Sequence, residues 1–137
     1  MSTPTHPEAA ERMNQVLTEA QCLTLLAGES IGRVVYSDGV LPTAFPVNYQ
    51  LLNKTIVFRT KSDARVLTTG NGLYVSFEID RFDDQARIGW SVLVTGRCRP
   101  LHPDVAGTGL DTWASTHRSL LIGISIDVIS GRRLEAR

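Results

Sequence analysis

From Ile31 onward the sequence spells β structure in short, separately bounded pieces, and that succession limits the fold more than any other feature. IGRVVYS ends at the turn signal Ser37, Asp38 and Gly39, LPTAFPVNYQL ends at Asn53 and Lys54, and TIVFRT follows. Three consecutive antiparallel strands are expected from that order. Residues 73–79 then place Leu73, Val75, Phe77 and Ile79 on one face and Tyr74, Ser76 and Glu78 on the other, the two-residue period of a half-buried strand. After a charged loop over 81–87 (RFDDQAR), the run from Ile88 to Leu101 is too long for an average strand. It contains Gly89 and Gly96, where a bend or bulge can carry one strand around a barrel corner. LLIGISIDVIS is a last strand with Ile122, Ile124, Ile126 and Val128 on one side, before the tail GRRLEAR. The apolar face around Ile122, Ile124 and Ile126, with Trp90, exceeds what one small barrel easily covers and predicts a homodimer. Six or so short strands with minor helices predict a mainly β, antiparallel barrel rather than a parallel α/β sheet.

The remaining segments fit around that barrel. Residues 1–16 are polar, carry Pro4 and Pro7 and read as a flexible N-terminal arm, leaving 17–137 as one domain. Thr18 and Gln21 have the spacing of a capping box, with Leu17 and Cys22 as its hydrophobic staple, so a short helix is predicted over 19–27. A second short helix is predicted over 61–69, stopped at Gly70, Asn71 and Gly72, and a weak one over 104–118. Pro42 and Pro46 cannot donate to a ladder, so their strand must run at an edge or carry a bulge.

Composition removes several function classes. Fourteen basic and fourteen acidic side chains cancel, so no global field attracts nucleic acid or an anionic membrane, and any anion site must be local. No run approaches the roughly 18 apolar residues of a membrane span, and the first residues lack the order of a signal peptide. A soluble, cytoplasmic protein is expected. Cys22 and Cys98 lie in apolar runs without metal-ligand spacing and read as buried free thiols of a reducing compartment rather than a disulfide. His6, His102 and His117 are scattered, so no metal site is predicted.

No nucleophile elbow, Walker loop or dinucleotide glycine turn is present, and no catalytic residue can be named. Anion-binding side chains do gather at one junction, where Arg59 and Thr60 end a strand and Lys61, Ser62 and Arg65 follow. If a helix starts there, its unpaired N–H groups and two guanidinium groups form a phosphate cradle. A solvated basic turn has the same composition, and composition alone favours that plainer reading. Trp90 and Ser91, in GWSV, occupy opposite faces of one strand. The indole serves either as a core or dimer-interface aromatic or as a ligand contact. Asn48 and Tyr49, after Pro46, offer main-chain and amide groups to a planar heterocycle, or simply form an edge strand.

In order, IGRVVYSDG, PVNYQL, TIVFRTKSDARVL, VSFEID with RFDDQAR, GWSVLVTGR and SGRRL resemble the pyridoxamine 5′-phosphate oxidase-like family of flavin-binding split barrels, in particular its small actinobacterial-type members. The resemblance covers residues 17–101 well and the remainder loosely. It implies a split β-barrel that forms a homodimer with two flavin sites at its interface. By position, Arg59, Thr60, Ser62 and Arg65, beside Lys61, would hold the phosphate of FMN. Pro46, Val47, Asn48 and Phe58 would lie along the isoalloxazine and ribityl, and Trp90 and Ser91 would approach from the partner strand or subunit. Asp63 stands where family members often carry glycine, and Arg65 supplies the cation that lysine supplies two positions after that glycine. The Arg and His pair that true pyridoxamine phosphate oxidases use on substrate has no clear counterpart in GRRLEAR. The expected function is therefore an FMN- or deazaflavin-dependent oxidoreductase acting on a small-molecule acceptor or donor. A non-catalytic flavin or haem carrier or sensor, and a ligand-free structural homodimer, are the alternatives.

Overall fold

The computed structural model of the protein describes residues 14–39, 41–61, 72–102, 104 and 119–135. Strand β1 (Asn14–Val16) leads into helix α1 (Glu19–Ala27), followed by β2 (Ile31–Asp38), β3 (Leu41–Leu52), β4 (Thr55–Lys61), β5 (Leu73–Asp83), β6 (Ile88–Pro100), β7 (Ser119–Ser125) and β8 (Val128–Glu135). Every pairing is antiparallel, and the order is β1-β8-β6-β5-β2-β3-β4-β7. A further β6–β7 ladder joins the two ends of β6-β5-β2-β3-β4-β7 into a closed six-stranded barrel, with β8 and β1 continuing beyond β6. The expected antiparallel split barrel is thus the observed fold.

Inside the barrel Val34, Ile56, Phe58, Phe77, Val94, Ile122 and Ile124 have no exposed surface, and Tyr49 meets Phe77 edge to face at 4.8 Å. Helix α1 contributes Cys22 and Leu26 to the same core, and Leu17, just before its N-cap, joins them. It begins as the sequence requires: the Thr18 hydroxyl accepts from the Gln21 amide, and the Gln21 side chain accepts from the Thr18 amide at 2.8 Å. The Tyr49 hydroxyl donates to the Leu26 carbonyl, fastening the helix end to β3. Both cysteines are free and buried, and desolvation raises both thiols, Cys98 to about 12. Among the described residues, no helix is long and apolar enough to cross a membrane.

Residues 14–16, the end of the expected arm, pair with β8 as β1, and three further sequence expectations change. First, β5 runs on to Asp83 and pairs Arg81 with Trp90, Phe82 with Gly89 and Asp83 with Ile88, so the 81–87 loop shrinks to a turn over 84–87. Charge does not prevent pairing in an exposed ribbon, and the Asp83 carboxylate closes the turn by accepting the amides of Gln85 and Ala86, both at 3.0 Å. Second, LLIGISIDVIS is two strands rather than one. Cys98 opposes Ile124 but Thr95 opposes Val128, so residues 96 and 97 of β6 face residues 125 to 127. One extra residue is a bulge, and it inverts every side chain after it. Ile122 and Ile124 are therefore buried, Val128 is 62% exposed and Ile129 packs on the core in its place. Gly96 permits this join, because a Cβ there would stand 1.5 Å from the Ser125 carbonyl oxygen. Third, Ile122 and Ile124 lie inside the barrel and offer no apolar surface to a second copy. The helix predicted over 61–69 lies outside the described residues except at Lys61, which ends β4; that predicted over 104–118 does so except at Asp104.

Candidate functional site

The split in the barrel lies between β3 and β4. Their ladder starts at the tight turn of Asn53 and Lys54, where φ is 48° and 60°, and pairs Leu52 with Thr55 through Tyr49 with Phe58. There it stops. From Asn48 back to Leu41, β3 pairs with β2, while Arg59, Thr60 and Lys61 stay with β7, opposite Leu121, Leu120 and Ser119. Pro46, Val47 and Asn48 thus form one arm of a fork and Arg59, Thr60 and Lys61 the other. Pro42 and Pro46 both sit in the stretch of β3 that has one described partner strand, as their missing N–H groups require.

Alternation assigns faces within the fork. Tyr49 is buried and its amide donates to the Ser30 carbonyl on the β2 side at 3.0 Å, so the main-chain groups of Pro46 and Asn48 turn toward the fork. Val47 packs against the core, while Asn48 lies on the outer face. Phe58 is fully buried in the core, so Thr60 shares its inward side and Arg59 points outward, half-buried. Arg59 has no ion pair or hydrogen bond among the described residues. Ser62 and Arg65 lie outside the described residues.

Gln50, one step inside the fork on the outer face with Asn48, is a residue the sequence reading passed over. Its Oε1 is buried without a hydrogen-bond partner. An uncompensated buried acceptor costs about 1–3 kcal/mol, so it stands out among residues otherwise well satisfied. The one signal for it in the sequence is an amide between Tyr49 and Leu51 in a strand.

Tyr49, weighed in the sequence as a possible ligand contact, has its hydroxyl committed to Leu26. Burial, then the charge of Glu29, pushes that phenol above its usual value and keeps it a neutral donor. Next to Pro46, across the β2–β3 ladder, Arg33 bridges Glu78 at 2.9 Å and Asp80 at 3.1 Å, and Glu29 holds Arg81 at 3.1 Å. Burial first, then the hydrogen bond and charge of Asp80, push the Glu78 carboxyl up to about 7 against the pull of Arg33. These ion pairs border a groove of about 240 Å³ beside Pro46.

Trp90 and Ser91 are not brought to the fork of their own chain. At their positions β6 pairs with β5 and β8 and with neither arm of the fork. Trp90 is half-buried against the core, opposite Arg81 on one side and Arg133 on the other, and borders a second groove. Ser91 lies opposite Asp80 and Arg132. Among the described residues no group of three histidine, cysteine or acidic side chains is placed to hold a metal.

Comparison with known proteins agrees with this architecture. Residues 18–133 match the family model of pyridoxamine 5′-phosphate oxidase. The uncharacterized protein Rv0080 of Mycobacterium tuberculosis is 28% identical over 148 residues, covering 95% of this chain and 91% of that protein. A crystal structure from Corynebacterium glutamicum, provisionally named a pyridoxamine 5′-phosphate oxidase, superposes with a TM-score of 0.76 at 25% identity, over 90% of this chain and 99% of the other. The FAD binding protein of Mycobacterium smegmatis gives 0.69 at 25% identity, over 89% and 99%. With its barrel, its fork and a family match across most of its length, the chain belongs to the pyridoxamine 5′-phosphate oxidase family.

Proposed function

We propose that the protein binds a flavin nucleotide, FMN or a deazaflavin coenzyme, at the fork between β3 and β4, and acts as an oxidoreductase on a small acceptor. The observation that carries this reading is the fork itself, which sets Arg59 and the main-chain groups of Pro46 and Asn48 on opposite arms. A flavin needs a flat slot, a few directional hydrogen bonds and a phosphate anchor. Arg59 provides a cation, β3 provides main-chain groups, and Gln50 provides an unsatisfied acceptor for a ring N–H. When bound, the isoalloxazine or its deaza analogue supplies hydride transfer. The M. smegmatis relative, an FAD binding protein of the same fold, supports a flavin in general.

The working form in this reading is a homodimer. Its surface is not the isoleucines of β7 but the outer face of β2, β5, β6 and β8, where Ile31, Phe82, Leu93, Val128 and Leu134 are each at least 42% exposed. These side chains are set among Arg33, Glu78, Asp80 and Arg132 on the same face, and large exposed apolar residues grouped on one sheet face support association with a second copy. A second copy is also the route by which Trp90 and Ser91 reach a flavin.

Calorimetric titration of FMN and of a deazaflavin coenzyme into the purified protein tests the assignment. Saturable binding of one of them is expected, and none below about 100 μM retires the proposal. Sustained turnover with a reduced nicotinamide and quinone or nitroaromatic acceptors is expected of the enzyme. A single stoichiometric reduction makes it a carrier instead. Sedimentation showing monomer alone at micromolar concentration removes the dimer.

A further inference from the structure

Strand register builds a second constellation away from the fork. Arg81 on β5 stands opposite Trp90 on β6, and Trp90 stands opposite Arg133 on β8, so two guanidinium groups flank one indole in a single cross-strand row. Side chains in such a row are direct neighbours. They border a groove of about 500 Å³ whose walls also include Phe82, Asp83 and Asp84. That volume falls within the roughly 300–1,000 Å³ usual for small-molecule sites.

The charges in the groove are unequally committed. Glu29 grips Arg81 through Nε and Nη2 at 3.1 and 3.2 Å, fixing the guanidinium plane while leaving Nη1 for a further acceptor. Arg133 has no partner among the described residues. Of the two acids, Asp83 spends Oδ1 on the amides of its own turn, and Asp84 is exposed at the turn. The half-buried indole of Trp90 thus lines the groove with guanidinium donors on the strands to either side. Every nucleobase has a π-face that stacks on such a ring, and guanidinium forks match phosphate oxygens in pairs.

We propose that this groove is a nucleotide subsite, in which a purine stacks on Trp90 and its 5′-phosphate is bound by Arg133 and the free end of Arg81. It lies away from the fork of its own chain and does not require a flavin there, but it uses the indole that the dimer reading offers to a flavin of the second copy, so a purine in this groove and that contact exclude one another. The nucleoside phosphate comes either as a free nucleotide or as the adenylate half of a dinucleotide cofactor.

The test is calorimetric titration of AMP, adenosine, FMN and FAD into the full chain and into Arg133→Gln, with Trp90→Phe as a variant that keeps an aromatic ring. AMP is expected to saturate in the high-micromolar to low-millimolar range, with adenosine about tenfold weaker. Arg133→Gln should weaken AMP about tenfold at an unchanged melting temperature, because the side chain is exposed and unpaired, whereas Trp90→Phe should retain most of the affinity. If Arg133→Gln also weakens FAD but not FMN, the source is a dinucleotide. If AMP responds and neither flavin does, it is a free nucleotide. No saturation by AMP below about 10 mM, or equal AMP affinity in Arg133→Gln, overturns the subsite. Failure of FMN to bind leaves the AMP result intact and counts against the fork alone.

Discussion

The hydroxyl of Tyr49 donates to the main-chain carbonyl of Leu26, so the last turn of α1 is bonded to β3 at the residue where β3 and β4 part. Helix and fork are mechanically one unit. Tyr49→Phe leaves that carbonyl short of a donor in the core and is expected to cost about 1–2 kcal/mol in urea unfolding. If the bond also braces the fork, amide exchange should rise in α1 and in residues 46–48 together.

Gly96 and Gly89 lie on one strand and should respond very differently to alanine. At Gly96 the new methyl meets the Ser125 main chain, which cannot move without breaking the β7–β8 join, so a loss on the order of 3 kcal/mol or more is expected. At Gly89 it meets the Phe82 ring, which is 56% exposed and can rotate away. Thermal melts should rank Gly96→Ala well below Gly89→Ala.

Glu78 makes stability fall as pH rises through the neutral range. Its folded value of about 7 lies above the ordinary 4.5, so between these limits the folded state holds a proton that the unfolded state has released. Binding more protons when folded means stability is greatest below about 4.5 and is lost as pH climbs through 7. Glu78→Gln should match the parent near pH 4.5 and exceed it at pH 8 by roughly 1 kcal/mol, allowing for solvent screening and for Asp80 remaining on Arg33. Chemical denaturation at the two pH values measures the difference.

Arg59 is half-buried and unpaired among the described residues, so its removal should spare the fold. Arg59→Gln is expected to weaken FMN by about tenfold to a hundredfold, the value of a charge-assisted contact to phosphate, with an unchanged melting temperature. Equal affinity would place the phosphate elsewhere.

Gln50 gives the opposite signature. Gln50→Leu removes an unsatisfied buried acceptor and should raise the stability of the ligand-free protein by about 1 kcal/mol. The same change should weaken flavin binding if that acceptor serves the ring.

How much the sequence disclosed depended on the range over which each signal acts. The helix at 19–27 was legible to the residue because Thr18 and Gln21 decide it locally. The alternation of Leu73, Val75, Phe77 and Ile79 survived intact, since a two-residue period needs no knowledge of the partner strand. The break in LLIGISIDVIS was not legible, because nothing in those residues announces that Gly96, far back in the chain, will accept the Ser125 carbonyl. Likewise the irregular strand at PVN and the basic strand end at RTK are each visible in the sequence, yet that they face one another across a fork follows from where the Tyr49 and Phe58 pairing ends. Arg81 and Arg133 escaped notice for the same reason: their common neighbour, Trp90, is a matter of register.

An unpaired strand flank is also a template on which another chain can add and begin an aggregate. The β2 ladder runs unbroken through Pro42 and Pro46, so their ring nitrogens occupy the other flank of β3 and deny an incoming strand two of the donors it would need. The opening can thus remain available to a small guest while resisting polymerisation, and replacing both prolines should be felt first as turbidity on storage, before any loss of fold.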